Sequence, residues 1–426
     1  MPTTGALTNW AGNIAFSTQR LHRPDSVAEL RRLVGSSARV RALGTAHSFN
    51  RIADTPGELV SVAGLPRMIE IDTASATATV SAGLRYAELA EYLYRAGFAL
   101  PNLASLPHIS IAGACATGTH GSGDGNGGLA TAVSGLRMVG PEGDVTELGR
   151  RDDPERFPGA VVALGALGVV TSLTLDLVPG FEVAQYVYPG LALDRLESAD
   201  FESVFGAAYS VSVFTNWAGG DGAVWLKARV DPDSATEVPP EHWLGAHLAE
   251  VPQHPVPGMP AEFCTQQGGV PGPWHERLPH FRPDFTPSSG EELQSEYLLP
   301  RAAAQQAVTA LRGLADRIAP VLQISEIRTV AADDLWLSPA YGRDSVAFHF
   351  TWVKDTAAVT PVVTAVEEAL LPLGARPHWG KVFTAGPGAV ASGYEYAGEF
   401  QRLMAEQDPG GKFRNEYLDA LFPPLK

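Results

Sequence analysis

The sequence predicts an α+β protein built from two domains. Its 426 residues exceed the size at which a single hydrophobic core usually stops growing. Strand-like and helix-like segments follow one another without the regular βαβ alternation of a doubly wound fold. The 44 glycines and 33 prolines indicate many turns and irregular loops rather than a helical bundle. We therefore expect two mixed domains, the second built on an antiparallel sheet.

The first helix of the chain is predicted within PDSVAELRRLVGSS. Ser26 and Glu29 have the spacing of a capping box, and Leu30 and Leu33 provide an apolar face. The following VRALG, residues 40–44, has the composition of a short buried strand. This order predicts a helix that leads directly into the first sheet.

A hairpin and a second helix are predicted next. Residues 68–83 alternate, break at a polar turn and alternate again, as the two strands of a hairpin do. Residues 86–97 carry Leu89, Leu93 and Ala96 at helical spacing and end at a glycine.

The pattern of predicted elements changes near residue 180, where the second domain is expected to begin. Residues 209–217 and 223–230 flank a glycine-rich turn and predict another hairpin. Residues 250–290 contain nine prolines and several aromatic side chains, which is typical of a long ordered loop. Three more strands are predicted in EELQSEYLL, ISEIRTV and VAFHFTWV, with helices in RAAAQQAVTALRGLADRIA and PVVTAVEEALLPL.

Composition excludes several classes of function. The net charge of −16 makes a nucleic-acid or acidic-membrane surface improbable. Cys115 and Cys264 are the two cysteines of the chain, too few for a disulfide framework and without zinc-ligand spacing. The first residues lack a signal-peptide pattern, and no stretch has the roughly 18 apolar residues of a membrane span. We expect a cytoplasmic monomer without a metal.

The stretch ALGTAHSFNRI, residues 42–52, places a histidine among small residues. Gly44, Thr45 and Ala46 leave little side-chain bulk ahead of His47. Such a segment suits a backbone that wraps closely around a ligand, with the imidazole beside it. The stretch alone does not identify the ligand.

Residues 107–128 form a glycine-rich segment that suits an anionic ligand. Its seven glycines let backbone amides approach an anion without obstruction. Gly123–Gly128 match G-x-G-x-x-G, but no strand directly precedes the match and no helix start is evident. A Walker loop is excluded because no Lys-Ser or Lys-Thr follows Gly118. A flexible surface loop is the simplest alternative, yet Ile109, Ile111 and the nearby alanines are too apolar for solvent. We favour a buried loop that holds a dinucleotide pyrophosphate.

Taken together, these motifs resemble a known family. GTAHSF, LASLPHISIAGACATGTHGSG and ALGALGVVTSLTLDL are similar to the FAD-binding (PCMH-type) domain of the vanillyl-alcohol-oxidase-type flavoproteins. NWAGN, SEIRTV, HFTW, RPHWGKVF and DPGGKFRN resemble the members that oxidise linear polyols. The resemblance implies an FAD-binding domain in residues 1–180, completed by 385–426, and a substrate-binding cap domain in residues 181–384.

The resemblance also implies how FAD is held. In that family the histidine of the first motif is linked covalently to the flavin 8α-methyl carbon, and this role falls on His47. Some relatives have a second link through a cysteine, but this chain has Leu106 there, so we expect one link and a structural role for Cys115. The other positions implied to bind FAD are Arg41, Ala42, Leu43, Gly44, Thr45, Ala46, Ser48, Ser105, Ser110, Gly113, Thr117, Gly118, Thr119, His120, Gly168, Val169 and His378.

Strand periodicity predicts a polar sheet face in the second domain. Glu326 and Arg328 are two residues apart, as are His349 and Thr351, so each pair points to one side of its strand. The opposite side of the later strand carries Phe348, Phe350 and Trp352. A solvated sheet face with a Glu–Arg pair is the alternative to an enclosed site.

The resemblance assigns these residues to the substrate. It implies that a polyol is bound by Ser105, Gln294, Glu326, Arg328, Thr351 and Lys381. A polyol requires both donors and acceptors, and this set supplies them. We expect Arg328 and Lys381 to stabilise developing negative charge and His349 to orient Arg328 or relay the proton, with no single base assigned.

The implied reaction is oxidation of a terminal primary alcohol of a polyol such as xylitol or sorbitol, with O₂ reduced to H₂O₂. The alternative within the fold is a flavin-dependent sugar or aldonolactone oxidase or dehydrogenase. A metal hydrolase or a binding protein is a third class, but His254, His275 and His280 show no helical or carboxylate partner pattern.

Overall fold

The computed structural model describes residues 6–230, 240–283 and 291–425. The strands in chain order are β1 (Leu21–His22), β2 (Val40–Ala42), β3 (Glu58–Val60), β4 (Ile69–Asp72), β5 (Thr77–Ser81), β6 (Phe98–Ala99), β7 (Val133–Val139), β8 (Val145–Gly149), β9 (Val169–Asp176), β10 (Val178–Pro179), β11 (Glu182–Ala192), β12 (Ser210–Thr215), β13 (Asp221–Val230), β14 (His242–Trp243), β15 (Ala246–His247), β16 (Gly272–Pro273), β17 (Glu292–Pro300), β18 (Leu322–Val330), β19 (Ser345–Val353) and β20 (Arg376–Pro377). The α-helices are α1 (Val27–Ser36), α2 (Tyr86–Arg95), α3 (Ile111–Ala116), α4 (Phe157–Val161), α5 (Asp200–Phe205), α6 (Ala304–Arg312), α7 (Ala315–Ile318), α8 (Thr356–Leu370), α9 (Pro387–Ser392), α10 (Ala397–Gln407) and α11 (Glu416–Leu421).

Two main sheets organise the N-terminal part of the chain. Strands β1, β3 and β2 form a parallel three-stranded sheet, and β4, β5, β9, β7 and β8 form an antiparallel five-stranded sheet. The predicted hairpin at residues 68–83 is confirmed by the pairing of β4 with β5. The predicted N-cap Ser26 is confirmed, because its side chain accepts a hydrogen bond from the Glu29 amide. The predicted capping box is incomplete, because the Glu29 carboxylate accepts from the Asp25 amide and not from that of Ser26.

The second part of the chain is built on an eight-stranded antiparallel sheet. Its strand order is β16-β11-β13-β12-β18-β19-β17-β20. The predicted aromatic side of β19 is confirmed, because Phe348, Phe350 and Trp352 are fully buried in one apolar core with residues of α6 and α8. Residues Thr356–Leu373 have the length and apolar character of a membrane span, but Val363 and Val366 pack in this core as in a core helix of a globular protein.

Three sequence expectations about helices were wrong. The glycine-rich segment contains α3, which forms because Ile111, Ala114 and Cys115 are buried and not because a side chain caps it. The helix predicted across residues 301–319 is interrupted at Gly313, which separates α6 from α7. Helix α8 begins before the predicted PVVTAVEEALLPL, because the Asp355 side chain accepts hydrogen bonds from the first-turn amides.

The C-terminal segment returns to the N-terminal sheets. The Val40 amide donates to the Lys412 carbonyl oxygen at 2.9 Å. The Arg41 guanidinium donates to the Phe413 carbonyl oxygen at 2.8 Å, and the Asn415 amide donates to the Asp54 carbonyl oxygen at 2.8 Å. These bonds fasten the chain on both sides of His47, at Val40 and Arg41 before it and at Asp54 after it.

Deletion of residues 412–426 should therefore reduce flavin loading. The deletion removes the three bonds above and leaves the buried Arg41 without one of its carbonyl partners. The ratio of bound flavin to protein after expression measures the effect. A matched deletion that starts at the exposed Pro424 should load normally. Equal loading in both deletions would contradict this role of the C-terminal segment.

Candidate active site

A cavity of 1210 Å³ lies between the N-terminal motifs and the eight-stranded sheet. One side is lined by residues 41–50 and by residues from 104 to 120. The other side is lined by residues of β17, β18 and β19 and by the short segment after β20. The cavity therefore joins the histidine motif, the glycine-rich segment and the predicted polar sheet face in one space.

The two N-terminal motifs approach each other closely at Ser110. A Cβ atom on Gly44 would lie 2.5 Å from the Ser110 hydroxyl oxygen, and one on Gly113 would lie 2.7 Å from the same atom. Any side chain at either position would collide with this hydroxyl. The glycines thus keep open a backbone-lined cradle at this end of the cavity.

His47 is held in a defined orientation beside the cradle. Its ring stacks on Trp10 with centroids 5.0 Å apart, and the Trp10 amide donates to the Ala46 carbonyl oxygen at 2.8 Å. Ala46 has a φ of 58°, a left-handed conformation that strains a non-glycine residue by about 1 kcal/mol. Burial, and then the nearby His108, lower the pKa of His47 to about 4. Its Nδ1 atom is buried and has no hydrogen-bond partner among the described residues. His47 is therefore a neutral, fixed imidazole.

Most positions predicted to contact FAD line this cavity. They are Arg41, Ala42, Leu43, Gly44, Thr45, Ala46, His47, Ser48, Ser105, Ser110, Gly113, Thr117, Thr119, His120, Gly168 and His378. Arg41 also has a structural task, because its terminal nitrogens donate to backbone carbonyls that include those of Gly165, Leu164 and Phe413. Their contact with FAD stays a prediction.

Two predicted FAD positions do not line the cavity and require correction. Gly118 packs against the second part of the chain, where a Cβ would lie 2.8 Å from Pro339. Val169 is fully buried in a separate apolar cluster with Leu30 and Val139, whereas its neighbour Val170 lines the cavity. Strand alternation explains the second error, because adjacent residues of β9 point to opposite faces.

The predicted polar face is enclosed and not solvated. Glu326 pairs in register with His349, and His349 pairs with Glu296 on the other neighbouring strand. Arg328 and Thr351 lie two residues further along their strands on the same face, and all five side chains line the cavity. Arg328 is 5% exposed and Glu326 is 4% exposed, so the solvated Glu–Arg pair is excluded.

Glu296 is the centre of this face, and the sequence analysis missed it. Arg328 Nη2 donates to Glu296 Oε1, His120 Nε2 lies 3.2 Å from the same oxygen, and His349 Nδ1 lies 3.5 Å from Oε2. Burial opposes ionisation, but Arg328, His120 and His349 hold the pKa of Glu296 well below its usual range. Glu296 could have been predicted from its position two residues after Gln294, because side chains two residues apart on a strand share a face.

The remaining predicted substrate residues surround this centre. Lys381 Nζ donates to Gln294 Oε1, and the Gln294 amide donates to Glu292. Burial lowers the pKa of Lys381, although Glu296 opposes the shift. Thr351 Oγ1 lies 3.2 Å from His349 Nε2, and Ser105 Oγ accepts from Arg328 Nη1 at 3.5 Å. Burial likewise lowers the pKa of His349, so its imidazole is neutral at pH 7.

The residues present fit a bound FAD. Gly44 and Gly113 let two backbone segments approach Ser110 closely, which suits a phosphate-bearing cofactor, and His47 lies in the same cavity with an Nδ1 that has no hydrogen-bond partner in the described chain. No cluster of three or more potential metal ligands occurs among the described residues.

Comparison with known families and proteins agrees with this geometry. Residues 18–149 match the profile described as FAD binding domain, and residues 291–421 match D-arabinono-1,4-lactone oxidase. Alditol oxidase of Streptomyces sp. (strain IKD472 / FERM P-14339) is 54% identical over 417 residues, covering 97% of this chain and 98% of that protein.

More distant relatives and solved structures also match this chain over nearly its full length. L-gulono-1,4-lactone dehydrogenase of Mycobacterium tuberculosis (strain ATCC 25618 / H37Rv) is 28% identical, with 98% of this chain and 99% of that protein covered. L-gulonolactone oxidase of Mus musculus is 25% identical, with 97% of each chain covered. The crystal structure of cholesterol oxidase from B. sterolicum superposes with a TM-score of 0.78 at 15% identity, covering 98% of this chain and 96% of that one. The last likeness concerns the fold alone.

Proposed function

This chain belongs to the vanillyl-alcohol-oxidase-type family of FAD-binding oxidoreductases, and we propose that it is an alditol oxidase. It oxidises the terminal primary alcohol of a linear polyol such as xylitol or sorbitol to the aldehyde, and O₂ is reduced to H₂O₂. The observation that carries the proposal is the enclosed row of donors and acceptors on β17, β18 and β19, which shares one cavity with the FAD-binding motifs.

FAD, when bound, supplies the acceptor for the hydride of the substrate carbon. We propose one covalent link, through His47, since its neutral Nδ1 is without a partner in the described chain. Cys115 is buried beside the Tyr86 hydroxyl at 3.4 Å, and burial raises the pKa of its thiol to about 11. These properties favour a structural thiol at Cys115.

The reacting hydroxyl is proposed to meet Arg328, Lys381 and His349. Arg328 lines the cavity and its Nη1 lies 3.5 Å from Ser105 Oγ, so the guanidinium is placed to meet a substrate oxygen. The cationic side chains stabilise negative charge on that oxygen as its carbon loses hydride. The neutral imidazole of His349 can hold the hydroxyl proton, and Glu296 Oε2 at 3.5 Å from Nδ1 stabilises the resulting imidazolium.

Hydroxyls further along the chain are proposed to bind Glu326, Ser105, Thr351 and Gln294. Glu326 accepts, whereas the two hydroxyl side chains and the amide both donate and accept. This composition suits a substrate with several consecutive hydroxyls. We also propose that the protein acts as a monomer in the cytoplasm, and light scattering at assay concentration tests the oligomeric state.

Turnover should rise with the number of substrate hydroxyls. Each remote hydroxyl that is lost leaves a buried polar group unpaired, which costs about 1–3 kcal/mol and thus roughly tenfold in kcat/KM. Remote contacts also position the reacting carbon, so shorter alcohols should lose kcat as well as affinity. Peroxide release should therefore decrease in the order xylitol or sorbitol, glycerol, ethanol. Preferred turnover of L-gulono-1,4-lactone would instead identify the aldonolactone alternative, and equal rates for xylitol and ethanol would contradict both.

A further inference from the structure

Two buried basic residues lie behind Glu326 and have no part in the proposed chemistry. Lys227 of β13 is 1% exposed, and His280 of the proline-rich segment is 4% exposed. The His280 ring packs edge-on against Phe214 and Trp225, with centroid distances of 5.1 and 5.3 Å. The proline-rich segment thus holds one imidazole against the sheet at a fixed place.

The hydrogen bonds of this pair run in one direction. Lys227 Nζ donates to the Leu278 carbonyl oxygen and lies 3.2 Å from His280 Nδ1. As an ammonium, Lys227 can only donate, so Nδ1 then accepts and the imidazole proton lies on Nε2. Burial lowers the pKa of Lys227 to about 7, so this arrangement belongs to pH values below about 7. His280 Nε2 is 2.9 Å from Glu326 Oε1, so the histidine donates its proton to the carboxylate.

We propose that Lys227 and His280 are positioning residues that fix Glu326 for substrate recognition. His280 occupies Glu326 Oε1, which also lies 3.7 Å from Arg328 Nε, and Oε2 is left to accept a hydroxyl of the substrate. The inference rests on the proposed function, because it assigns a polyol hydroxyl as the partner of Oε2. Lys227 disfavours protonation of the imidazole, so that His280 has a single N–H, which donates to Glu326.

The charges around His280 support this division of roles. Lys227 faces it from β13, Glu326 and Arg328 face it from β18, and β12 contributes the Ser212 hydroxyl at 3.4 Å from Nε2. Burial and then Lys227 lower the pKa of His280 to about 4, although Glu326 opposes the shift. Burial opposes ionisation of Glu326, but Arg328 and His280 hold its pKa well below the usual range.

Substitution of His280 tests the positioning role. His280→Phe keeps a ring between Phe214 and Trp225 but removes both nitrogens, and kcat/KM for xylitol should fall about ten- to a hundredfold. His280→Gln should recover part of this loss, because its amide nitrogen takes roughly the place of Nε2. The control His275→Phe lies on the same segment and keeps an aromatic contact with Trp274, and its kcat/KM should stay within about twofold. An unchanged kcat/KM in His280→Phe would overturn the proposal.

The role of Lys227 is tested by the pH profile. Burial is the largest cause of the lowered pKa of His280 and Lys227 is the second, so without the neighbouring amine this pKa should rise part of the way toward its usual value. Lys227→Met should therefore move the ionisation of His280 from about pH 4 toward the ordinary histidine range in the profile of kcat/KM, as a new ionisation at higher pH. The same substitution removes the ionisation of Lys227 itself, whose pKa burial lowers to about 7. A purely structural role of Lys227 would lower stability without adding an ionisation. A profile that matches the parent protein would contradict the proposal. The double variant Lys227→Met/His280→Phe, which carries no histidine at this place, should lack the new ionisation.

A measurement without substrate separates this inference from the proposed function. In the flavin-loaded protein labelled with ¹⁵N-histidine, His280 should show a protonated Nε2 and an unprotonated Nδ1 from about pH 5.5 to 7, between the pKa of His280 and that of Lys227, and its signal is identified by its loss in His280→Gln. An Nδ1–H tautomer or an imidazolium in this range would overturn the positioning role even if polyols are oxidised. If His280 shows the expected tautomer but the protein does not oxidise polyols, the proposed function is overturned. The assignment of a polyol hydroxyl to Glu326 then fails with it, whereas the hydrogen-bond chain Lys227–His280–Glu326 stands.

Discussion

Replacement of Arg328 by alanine is expected to slow reduction of the bound flavin by every polyol by about a hundredfold or more. Preorganised donors at a developing oxyanion contribute factors of this size. Arg328 is buried against Glu296, and its Nε lies 3.7 Å from Glu326 Oε1 without a hydrogen-bond partner among the described residues. Anaerobic stopped-flow absorbance of the flavin measures this step apart from the reaction with oxygen. An Arg328→Ala variant that is reduced at the parent rate would contradict the assignment.

The same substitution should also destabilise the protein, so the two effects must be separated. Removal of one partner of a buried ion pair typically costs about 3–5 kcal/mol, because Glu296 would remain buried without its cation. The double variant Arg328→Met/Glu296→Gln removes both charges and should recover much of the melting temperature but not the rate. Arg301→Ala, which breaks ion pairs with Asp124 and Glu202 outside the cavity, should leave the rate unchanged. Recovery of the rate together with stability would show that Arg328 acts only on folding.

The parts of this site that local periodicity determines could be predicted from the sequence. Side chains alternate along a strand, so the spacing of Glu326 with Arg328 and of His349 with Thr351 predicts which side chains share a face. The aromatic residues on the reverse of β19 indicate which face meets the helices. Local periodicity could not predict that the polar face is enclosed, because enclosure depends on the N-terminal motifs that line the opposite side of the cavity.

The interactions that were missed join segments far apart in the chain. Glu296 and Arg328 are 32 residues apart, and His280 and Glu326 are 46 residues apart, so no spacing rule connects them. His280 appeared to have no carboxylate partner for this reason. Strand register brings Glu296 beside His349, and a loop places His280. The errors at Gly118 and Val169 have another cause, because motif resemblance identifies a segment but not which of its side chains faces the ligand.

Replacement of His47 by alanine is expected to abolish covalent attachment of the flavin. The parent protein should retain about one flavin per chain after acid denaturation, and His47→Ala should retain none. The reason is that His47 is neutral, with a pKa of about 4, is held by the stack on Trp10, and has an Nδ1 without a partner in the described chain. Cys115, by contrast, is a buried thiol whose pKa burial raises to about 11.

The control for this prediction is Cys115→Ala, which should keep the covalent flavin because the proposed link is single and passes through His47. The folded His47→Ala variant is expected to bind FAD reversibly, because the cradle formed by Gly44, Ser110 and Gly113 does not depend on the imidazole. Flavin fluorescence of the protein band after denaturing electrophoresis distinguishes the linked from the free cofactor. Release of flavin from the parent protein on denaturation would contradict the link altogether. If His47→Ala retains covalent flavin and Cys115→Ala loses it, the link must be assigned to the Cys115 thiol instead.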